Sequence, residues 1–479
     1  MYVQISGRGP LFVRLARGIR QAILEGRVRA GDALPASRTL AAQLGVSRAT
    51  VVAAYDLLKA DGVVSGSAGS GTRVRIDVNG GSAAAARFRP NWAETGFSRR
   101  ASAAPWKSLA RWMTPYDCRY DFQYARPVTA PPVMGAWMKS MQAAASRLQP
   151  MYTLAQGAHS LRSAISESLA LRRGLLVPPD RIVVTSGTQQ SLALLCQILL
   201  TEGDVVDMEE PGYVCARLIM AAHGAQVRLR PVDAEGLVPA AQGSPPARIV
   251  YATPAHQFPT GVVLSPARRN ELLRQASQWN AWIFEDDYDN EFRTGEAPVR
   301  ALKSDDRDDR VIYSGTFSKI MFPGFGMGFV ALPDALMEAY LSAKILSDFG
   351  VPVLNQAAMA HFMETGGYER HLHRVTEEMD GRRRVLHARL QEADIGSADE
   401  YRHSRGMYSM VTCHGIGSDR IAAIIDKALR ANVGIYNASI FFQSPPEELR
   451  LMLGYAGLFQ RDIADAVRHL SGVLRGGSR

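Results

Sequence analysis

Hydrophobic positions change their period along the chain, and the change divides it. From Pro10 to about Gly26 the apolar residues Phe12, Leu15, Ile19, Ala22 and Ile23 share one helical face, with Arg14, Arg17 and Gln21 opposite. The stretch "RAGDALPASRTLAAQLGVSRATVVAAYDLLKADGVV" predicts a short helix over Ser37–Leu44, a tight turn at Gly45 and a second helix from Ser47 to about Ala60. Ser37 and Ser47 are the expected N-caps, because a short hydroxyl can accept from a free N–H of the first turn. Val51, Ala54, Tyr55 and Leu58 form the buried stripe of the second helix and leave Arg48, Thr50 and Lys59 off it. "VVSGSAGSGTRVRI" then predicts two short strands around a Gly/Ser tip, a wing.

Residues 79–117 ("NGGSAAAARFRP", "SRRASAAPWKS") are rich in Ala, Ser, Arg and Pro and read as a basic flexible linker. From about Tyr120 short β-rich runs alternate with helical ones: "RIVVTSG", "DVVDMEEPGY", "AQVRLRPV", "RIVYATP", "AWIFEDDYD", "RVIYSGTFSK" and "MGFVALP". That alternation predicts a mostly parallel α/β sheet whose functional residues lie at strand C-termini. The tail, ending in "ELRLMLGYAGL", predicts a smaller α+β subdomain. The expected boundaries are a head over 1–78, the linker over 79–117 and a body over 118–479. Within the body, a large part covers about 150–350 and a small one about 351–479.

Composition sharpens this division. The 479 residues are 47% hydrophobic and 21% charged, as in a soluble globular chain. The longest apolar stretch, around Leu192–Leu200, is about half of the roughly 20 residues that span a bilayer, so no membrane partner is expected. Four scattered cysteines without a CxxC pair point to a reducing cytoplasm and away from disulfides or a metal site. The net charge of +9 is uneven: residues 1–78 hold eleven Lys/Arg against five Asp/Glu, and residues 79–115 hold six against one. A basic head on a near-neutral body implies a polyanionic partner for the head.

A helix-turn-helix lays its second helix in the major groove, with the N-terminal residues of that helix at bases and phosphates. Those residues are Ser47, Arg48 and Thr50, with Arg38 opening the preceding helix; an arginine fork grips guanine or phosphate bidentately. The segment resembles the winged helix-turn-helix domain of GntR-type regulators. The resemblance implies double-stranded DNA as partner, with contacts from Arg38, Ser47, Arg48 and Thr50 and from the wing tip near Gly69–Gly71.

A pyridoxal 5′-phosphate (PLP) site needs an amine, an anion cradle, a carboxylate for the pyridine nitrogen, a phenol and a ring to stack on. "TSGTQQSL" sets Gly187, Thr188 and Gln189 at a helix start, where free N–H groups suit a phosphate. "EEPGY" leaves Tyr213 after a strand, "FEDDYDNEF" ends a strand with Asp286 and Tyr288, and "SGTFSK" delivers Thr316 and Ser318 beside Lys319. In this order the set resembles fold-type I aminotransferases. Joined to the head, the whole chain resembles the MocR/GabR subfamily of GntR regulators, which "TPAHQFPTG" and "EDDYDNEF" also match. The resemblance implies a fold-type I PLP-dependent transferase body with PLP as cofactor. Lys319 is then the Schiff-base lysine, Asp286 the partner of the pyridine nitrogen, Tyr288 the phenol near O3′ and Tyr213 the stacking ring. It also implies a head-to-tail homodimer.

Three departures bear on activity. Gly326 stands where the family commonly has a phosphate-gripping arginine. Met452 stands in the place of the arginine that holds a substrate carboxylate, with Arg450 two residues earlier as the replacement candidate. Phe258 precedes "PTG" where transaminases have asparagine. Losing one charged phosphate contact costs about 1.5–3 kcal/mol. The expectation is therefore a cytoplasmic, DNA-binding regulator that senses PLP, a small amine or an amino acid, without full transaminase turnover. A working aminotransferase with an accessory head, and a constitutive DNA binder whose body no longer holds PLP, are the alternatives.

Overall fold

The computed structural model describes residues 5, 7–66, 71–75, 95–104, 106–124, 126, 128, 131–148, 151, 154–292, 299–397, 400–401 and 406–475. The chain divides into two compact units, Met1–Ala93 and Glu94–Arg479.

In the first unit, helices α1 (Leu11–Leu24), α2 (Ser37–Leu44) and α3 (Arg48–Ala60) accompany strands β1 (Ala33–Leu34), β2 (Val64–Ser65) and β3 (Thr72–Val74). The strands form a small antiparallel sheet in the order β1-β3-β2. Leu15, Ile19, Ala22 and Ile23 of α1 meet Leu40 of α2 and the stripe Val51, Ala54, Tyr55 and Leu58 of α3. Each large apolar side chain fully buried there contributes about 1.5–3 kcal/mol. Phe12 departs from the expected face: it lies one turn short of this core and is exposed. Ser47 caps α3, its Oγ accepting from the Thr50 N–H at 3.1 Å. Ser37 does not cap α2. The N-cap position falls on Ala36, and Ser37 Oγ instead accepts from Arg48 Nε at 3.4 Å. Gly45 ends α2 at φ 64°, a left-handed conformation that glycine adopts without strain.

The second unit opens with α4 (Gly96–Ser102) and α5 (Trp106–Met113), followed by β4 (Tyr120–Asp121), α6 (Pro131–Ser146) and α7 (His159–Arg173). The central sheet is built from β5 (Ile182–Thr185), β6 (Val205–Glu210), β7 (Gln226–Asp233), β8 (Gly236–Leu237), β9 (Ile249–Ala252), β10 (Trp282–Asp287), β11 (Val311–Thr316) and β12 (Gly328–Ala331). Its order is β5-β12-β11-β10-β9-β6-β7-β8. The pairs from β7 to β11 are parallel, while β12 runs antiparallel between β11 and β5. Helices α8 (Thr188–Leu199) and α9 (Val214–Ala222) follow β5 and β6. The C-terminal part carries β13 (Tyr408–Gly417), β14 (Val433–Gly434), β15 (Tyr436–Asn437) and β16 (Glu448–Gly454). The antiparallel order is β13-β16-β15, and β14 pairs with β4. One apolar core runs through both parts, from Val184 and Phe317 to Val411 and Leu453.

Of the linker expected over 79–117, residues 79–94 and 105 lie outside the description, and the described part carries the helices α4 and α5, which are tied to the body by a few contacts. Arg100 Nε donates to the Ala222 carbonyl at 3.1 Å, and its Nη1 reaches Glu202 at 3.1 Å. Phe97 sets its ring edge-on to His223, with centroids 5.1 Å apart. Trp112 Nε1 donates to the Asn437 carbonyl at 3.2 Å. The Ala/Ser/Arg composition hides these few anchors, and anchors rather than average polarity decide whether a segment docks.

Candidate functional site

On the head, Arg38, Ser47, Arg48 and Gly71 are exposed and Thr50 is half-buried. Ser47 Oγ and Thr50 Oγ1 lie 2.8 Å apart at the start of α3. Neither Arg38 nor Arg48 forms an ion pair among the described residues, so both guanidinium groups are available to an outside anion. Gly71 has φ 75°, favoured by glycine; Gly69 lies outside the described residues. Arg73, behind the tip, donates to the Gly31 carbonyl at 2.9 Å and so braces the wing.

In the body, the C-terminal ends of β5, β6, β9, β10 and β11 converge on one cavity of about 580 Å³, within the range of roughly 300–1,000 Å³ typical of small-molecule sites. Gly187, Thr188, Gln189, Tyr213, Asp286, Tyr288, Thr316, Ser318 and Lys319 all line it. Gly187 turns the chain from β5 into α8 at φ 130°, ψ 177°, a region essentially restricted to glycine, and no side chain caps that helix. The first N–H groups of α8 therefore face the cavity end uncapped, an anion site by geometry and dipole.

Two groups on the cavity wall are held away from their ordinary ionisation. Burial pulls the Lys319 amine down to about 8, partly countered by the carboxylates of Asp289 and Asp286. Lys319 Nζ lies 3.3 Å from the Tyr124 hydroxyl and 4.6 Å from the centre of that ring. Burial pushes the Asp286 carboxyl up to about 7, while the Tyr251 phenol, donating at 2.6 Å, works in the opposite direction. Thr188 Oγ1 stands 3.5 Å from the other carboxylate oxygen. An amine with a lowered pKa is a nucleophile for a carbonyl, and a buried carboxylate welcomes a heterocyclic cation.

The phenol beside the lysine is Tyr124, a further one besides Tyr288, the phenol expected near O3′. Tyr288 lines the cavity, but its hydroxyl lies 2.9 Å from both His256 Nδ1 and the Tyr408 hydroxyl. His256 is in turn 2.9 Å from Asp289. Tyr124, from the unremarkable run "YDFQYARP", takes the place next to Lys319. Behind the wall, Glu209 accepts from Thr253 N and Oγ1 at 2.9 and 2.6 Å, and Gln257 donates to the Pro211 and Phe258 carbonyls. These bonds hold "TPAHQF" against β6.

The remaining wall is aromatic. Trp112 and Phe441, Phe441 and Phe258, Phe258 and Tyr213 pack edge-to-face in succession, at 4.7, 4.7 and 6.0 Å. Leu109, Trp112 and Met113 of α5 form part of the lining. Cys215 also reaches it; burial raises its thiol pKa. Arg450, the candidate for a ligand carboxylate, is not brought to the cavity. Its strand position places the guanidinium over the Phe442 ring at 5.2 Å. Met452 is fully buried. Gly326 closes a short 3-10 turn at φ 59°. Lys319 is the only Lys or Arg among the described residues lining the cavity. Among the described residues no group of three or more His, Cys, Asp or Glu is placed to hold a metal ion, and no helix is long and apolar enough to cross a membrane.

A winged helix joined to an aminotransferase-type body is the class these features define. The profile of bacterial regulatory proteins of the gntR family matches residues 12–74, and that of aminotransferase class I and II matches residues 123–470. The probable rhizopine catabolism regulatory protein MocR of Rhizobium meliloti is 31% identical over 472 residues, 96% of this chain and 93% of its own. The HTH-type pyridoxine biosynthesis transcriptional regulator PdxR of Corynebacterium glutamicum is 30% identical over 402 residues, 84% and 83% of the two chains. The structure of Pyrococcus horikoshii kynurenine aminotransferase, 24% identical, superposes with a TM-score of 0.69 over 83% of this chain and 97% of that one, a likeness of fold. The chain belongs to the MocR/GabR subfamily of GntR-type, HTH-type transcriptional regulators with an aminotransferase-like domain.

Proposed function

We propose that the head grips duplex DNA through Arg38, Ser47, Arg48, Thr50 and the wing at Gly71, and that the body cavity holds PLP with Lys319 as its covalent anchor. The observation that carries the second half is a single cavity in which a buried amine of lowered pKa, a buried carboxylate and an uncapped helix start meet. The first turn of α8 (Gly187, Thr188, Gln189) with the hydroxyls of Thr316 and Ser318 would hold the phosphate, without an arginine. Asp286, braced by Tyr251, would pair with the pyridine nitrogen, Tyr213 would offer its ring face, and Tyr124 would supply the phenol at the lysine. When bound, the cofactor supplies an aldehyde carbon reactive toward amines. With its amine at about 8, Lys319 is neutral in roughly a tenth of molecules at pH 7, far more than an ordinary lysine.

The effector in this reading is PLP itself or a small amine or amino acid. Helix α5 transmits its arrival: it forms cavity wall through Trp112 and lies on the stretch of chain that leads to the head. A ligand that repacks Trp112 acts on that tether and shifts the head's engagement with DNA. The exposed apolar residues Met138, Met151 and Leu154 support a second copy as partner, head-to-tail as in the resembled subfamily. The scattered cysteines favour the cytoplasm.

Borohydride trapping with peptide mapping, alongside footprinting on the operator, tests the proposal. The expected result is a label on Lys319, a footprint that changes with PLP or amine, and no amino transfer to a keto acid. Absence of a Lys319 label, or one footprint under all conditions, overturns it. Label with turnover establishes the aminotransferase alternative.

A further inference from the structure

We infer that the body cavity selects an amine that carries an apolar or aromatic substituent and no carboxylate; this rests on the PLP reading above. The argument starts from charge. Lys319 is the only Lys or Arg among the described lining residues, and the cofactor reading already commits it. The cations that sequence position offers nearby are turned elsewhere. Arg450 lies over Phe442, and Arg217, one turn along α9, donates from Nη1 to Gln443 Oε1 at 2.8 Å. Met452 is a buried thioether. Of the two uncapped helix starts that reach the cavity, those of α8 and α9, the first is taken by the phosphate and the second carries no full charge. A ligand carboxylate would thus enter a cavity lined by Asp286, with no further Lys or Arg among the described lining residues to pair with it, and an unpaired buried carboxylate is strongly disfavoured.

An ammonium with an apolar body meets the opposite conditions. Trp112, Phe441 and Phe258 present a continuous aromatic wall with Leu109 and Met113 beside it. Lys319 Nζ lies 4.6 Å from the centre of the Tyr124 ring, which packs against Trp112 and Phe258, so one aromatic face at the cavity already receives an amine. Phe258 adds to this selection, because its ring lines the cavity and offers no hydrogen bond to a carboxylate. The chemistry recognised is a primary arylalkyl- or alkylamine.

The test compares 2-phenylethylamine with L-phenylalanine, which differ by one carboxylate, on the full-length protein loaded with PLP. Binding is read by visible absorption and, independently of any chromophore, by calorimetry. The amine is expected to bind at least about tenfold more tightly, a difference of about 1.4 kcal/mol. Phe441→Ala is expected to weaken both ligands by a similar factor, about tenfold, because both carry the phenyl ring, and so to preserve their ratio, with circular dichroism melts showing that the variant is folded. Equal or tighter binding of L-phenylalanine, or no binding of either ligand, overturns the inference. Should the protein fail to take up PLP at all, the cofactor reading falls by its own spectrum, and the calorimetric ratio still decides ligand class.

Discussion

The phenol of Tyr251 on β9 donates a 2.6 Å hydrogen bond to Asp286 Oδ2 on the adjacent strand β10. Without it the buried carboxyl, already pushed up to about 7, would rise further and be neutral at working pH. Tyr251→Phe is therefore expected to weaken PLP binding about tenfold, since a hydrogen bond to a charged group contributes about 1.5–3 kcal/mol. Equilibrium titration of the cofactor measures this, and an unchanged Kd would detach Asp286 from the pyridine nitrogen.

The same carboxyl gives the apo protein a pH-dependent weakness. Its folded pKa of about 7 lies above the ordinary 3.8, so between those values the folded state holds a proton that the unfolded state has released. Stability is lost as pH rises through that window and the full penalty, at most on the order of 4 kcal/mol, is present above it. Asp286→Asn removes the ionisable group. Apo Asp286→Asn should melt several degrees above the parent at pH 8, with the gap closing at pH 5. Glu209 and Glu285, also raised to about 7 by burial, preserve part of the slope in the variant. Thermal melts across pH 5–8 that run parallel for both proteins would contradict the assignment.

Lys319 titrates in the other sense. Burial lowers its pKa to about 8 from 10.5, so the reactive neutral amine grows as pH rises toward 8 and saturates above it. The initial rate of covalent PLP attachment should climb nearly tenfold per unit below pH 8 and level off beyond. Lys319→Ala should show no borohydride-stable label at any pH. Stopped-flow absorption gives the rate and peptide mapping after reduction gives the label, and a rate that keeps rising to pH 10 would mean an ordinary exposed lysine.

The sequence disclosed the parts of the cavity that sit at strand ends, because a parallel sheet delivers residues to one edge in chain order. Gly187, Tyr213, Asp286 and Lys319 meet for that reason. It did not disclose Tyr124, which reaches Lys319 from a segment with no helical or strand period, nor Trp112, whose helix is masked by linker-like composition. Arg450 failed for a local reason: on β16 it faces Phe442 rather than the cavity, and two-residue spacing along a strand does not say what lies on that face. On the head, the buried stripe of α3 was legible from its period alone, whereas the cap at Ala36 was not. Capping depends on backbone angles at a residue whose side chain gives no signal.

At the start of α3, Ser47 serves both the helix cap and the proposed DNA contact, whereas Arg48 serves recognition alone. Ser47→Ala removes the cap on Thr50 N and should destabilise the head by about 1 kcal/mol. Arg48→Ala, at an exposed side chain without an acidic partner, should leave the melt unchanged and cost about 1–3 kcal/mol in DNA affinity. Binding isotherms at several salt concentrations distinguish the mode. A slope of log K on log salt lowered by about one marks a phosphate contact, and a changed base preference marks readout.

Trp112 is where docking of the tether and shape of the cavity coincide. Its indole N–H is tied to the Asn437 carbonyl at 3.2 Å, and its ring packs against Phe441 at 4.7 Å and Tyr124 at 5.7 Å. Tyr124 in turn touches Lys319. Trp112→Ala removes these contacts together and should release α5 from the body at a cost of about 2–4 kcal/mol. Trypsin should then cut near Lys107 at least tenfold faster than in the parent; bound PLP is expected to slow that cleavage in the parent and not in the variant. The variant should still bind operator DNA, since the head core shares no residue with this site, but with a footprint indifferent to PLP or amine. A footprint that still responds as the parent's does would place the coupling between cavity and head on a path that bypasses α5.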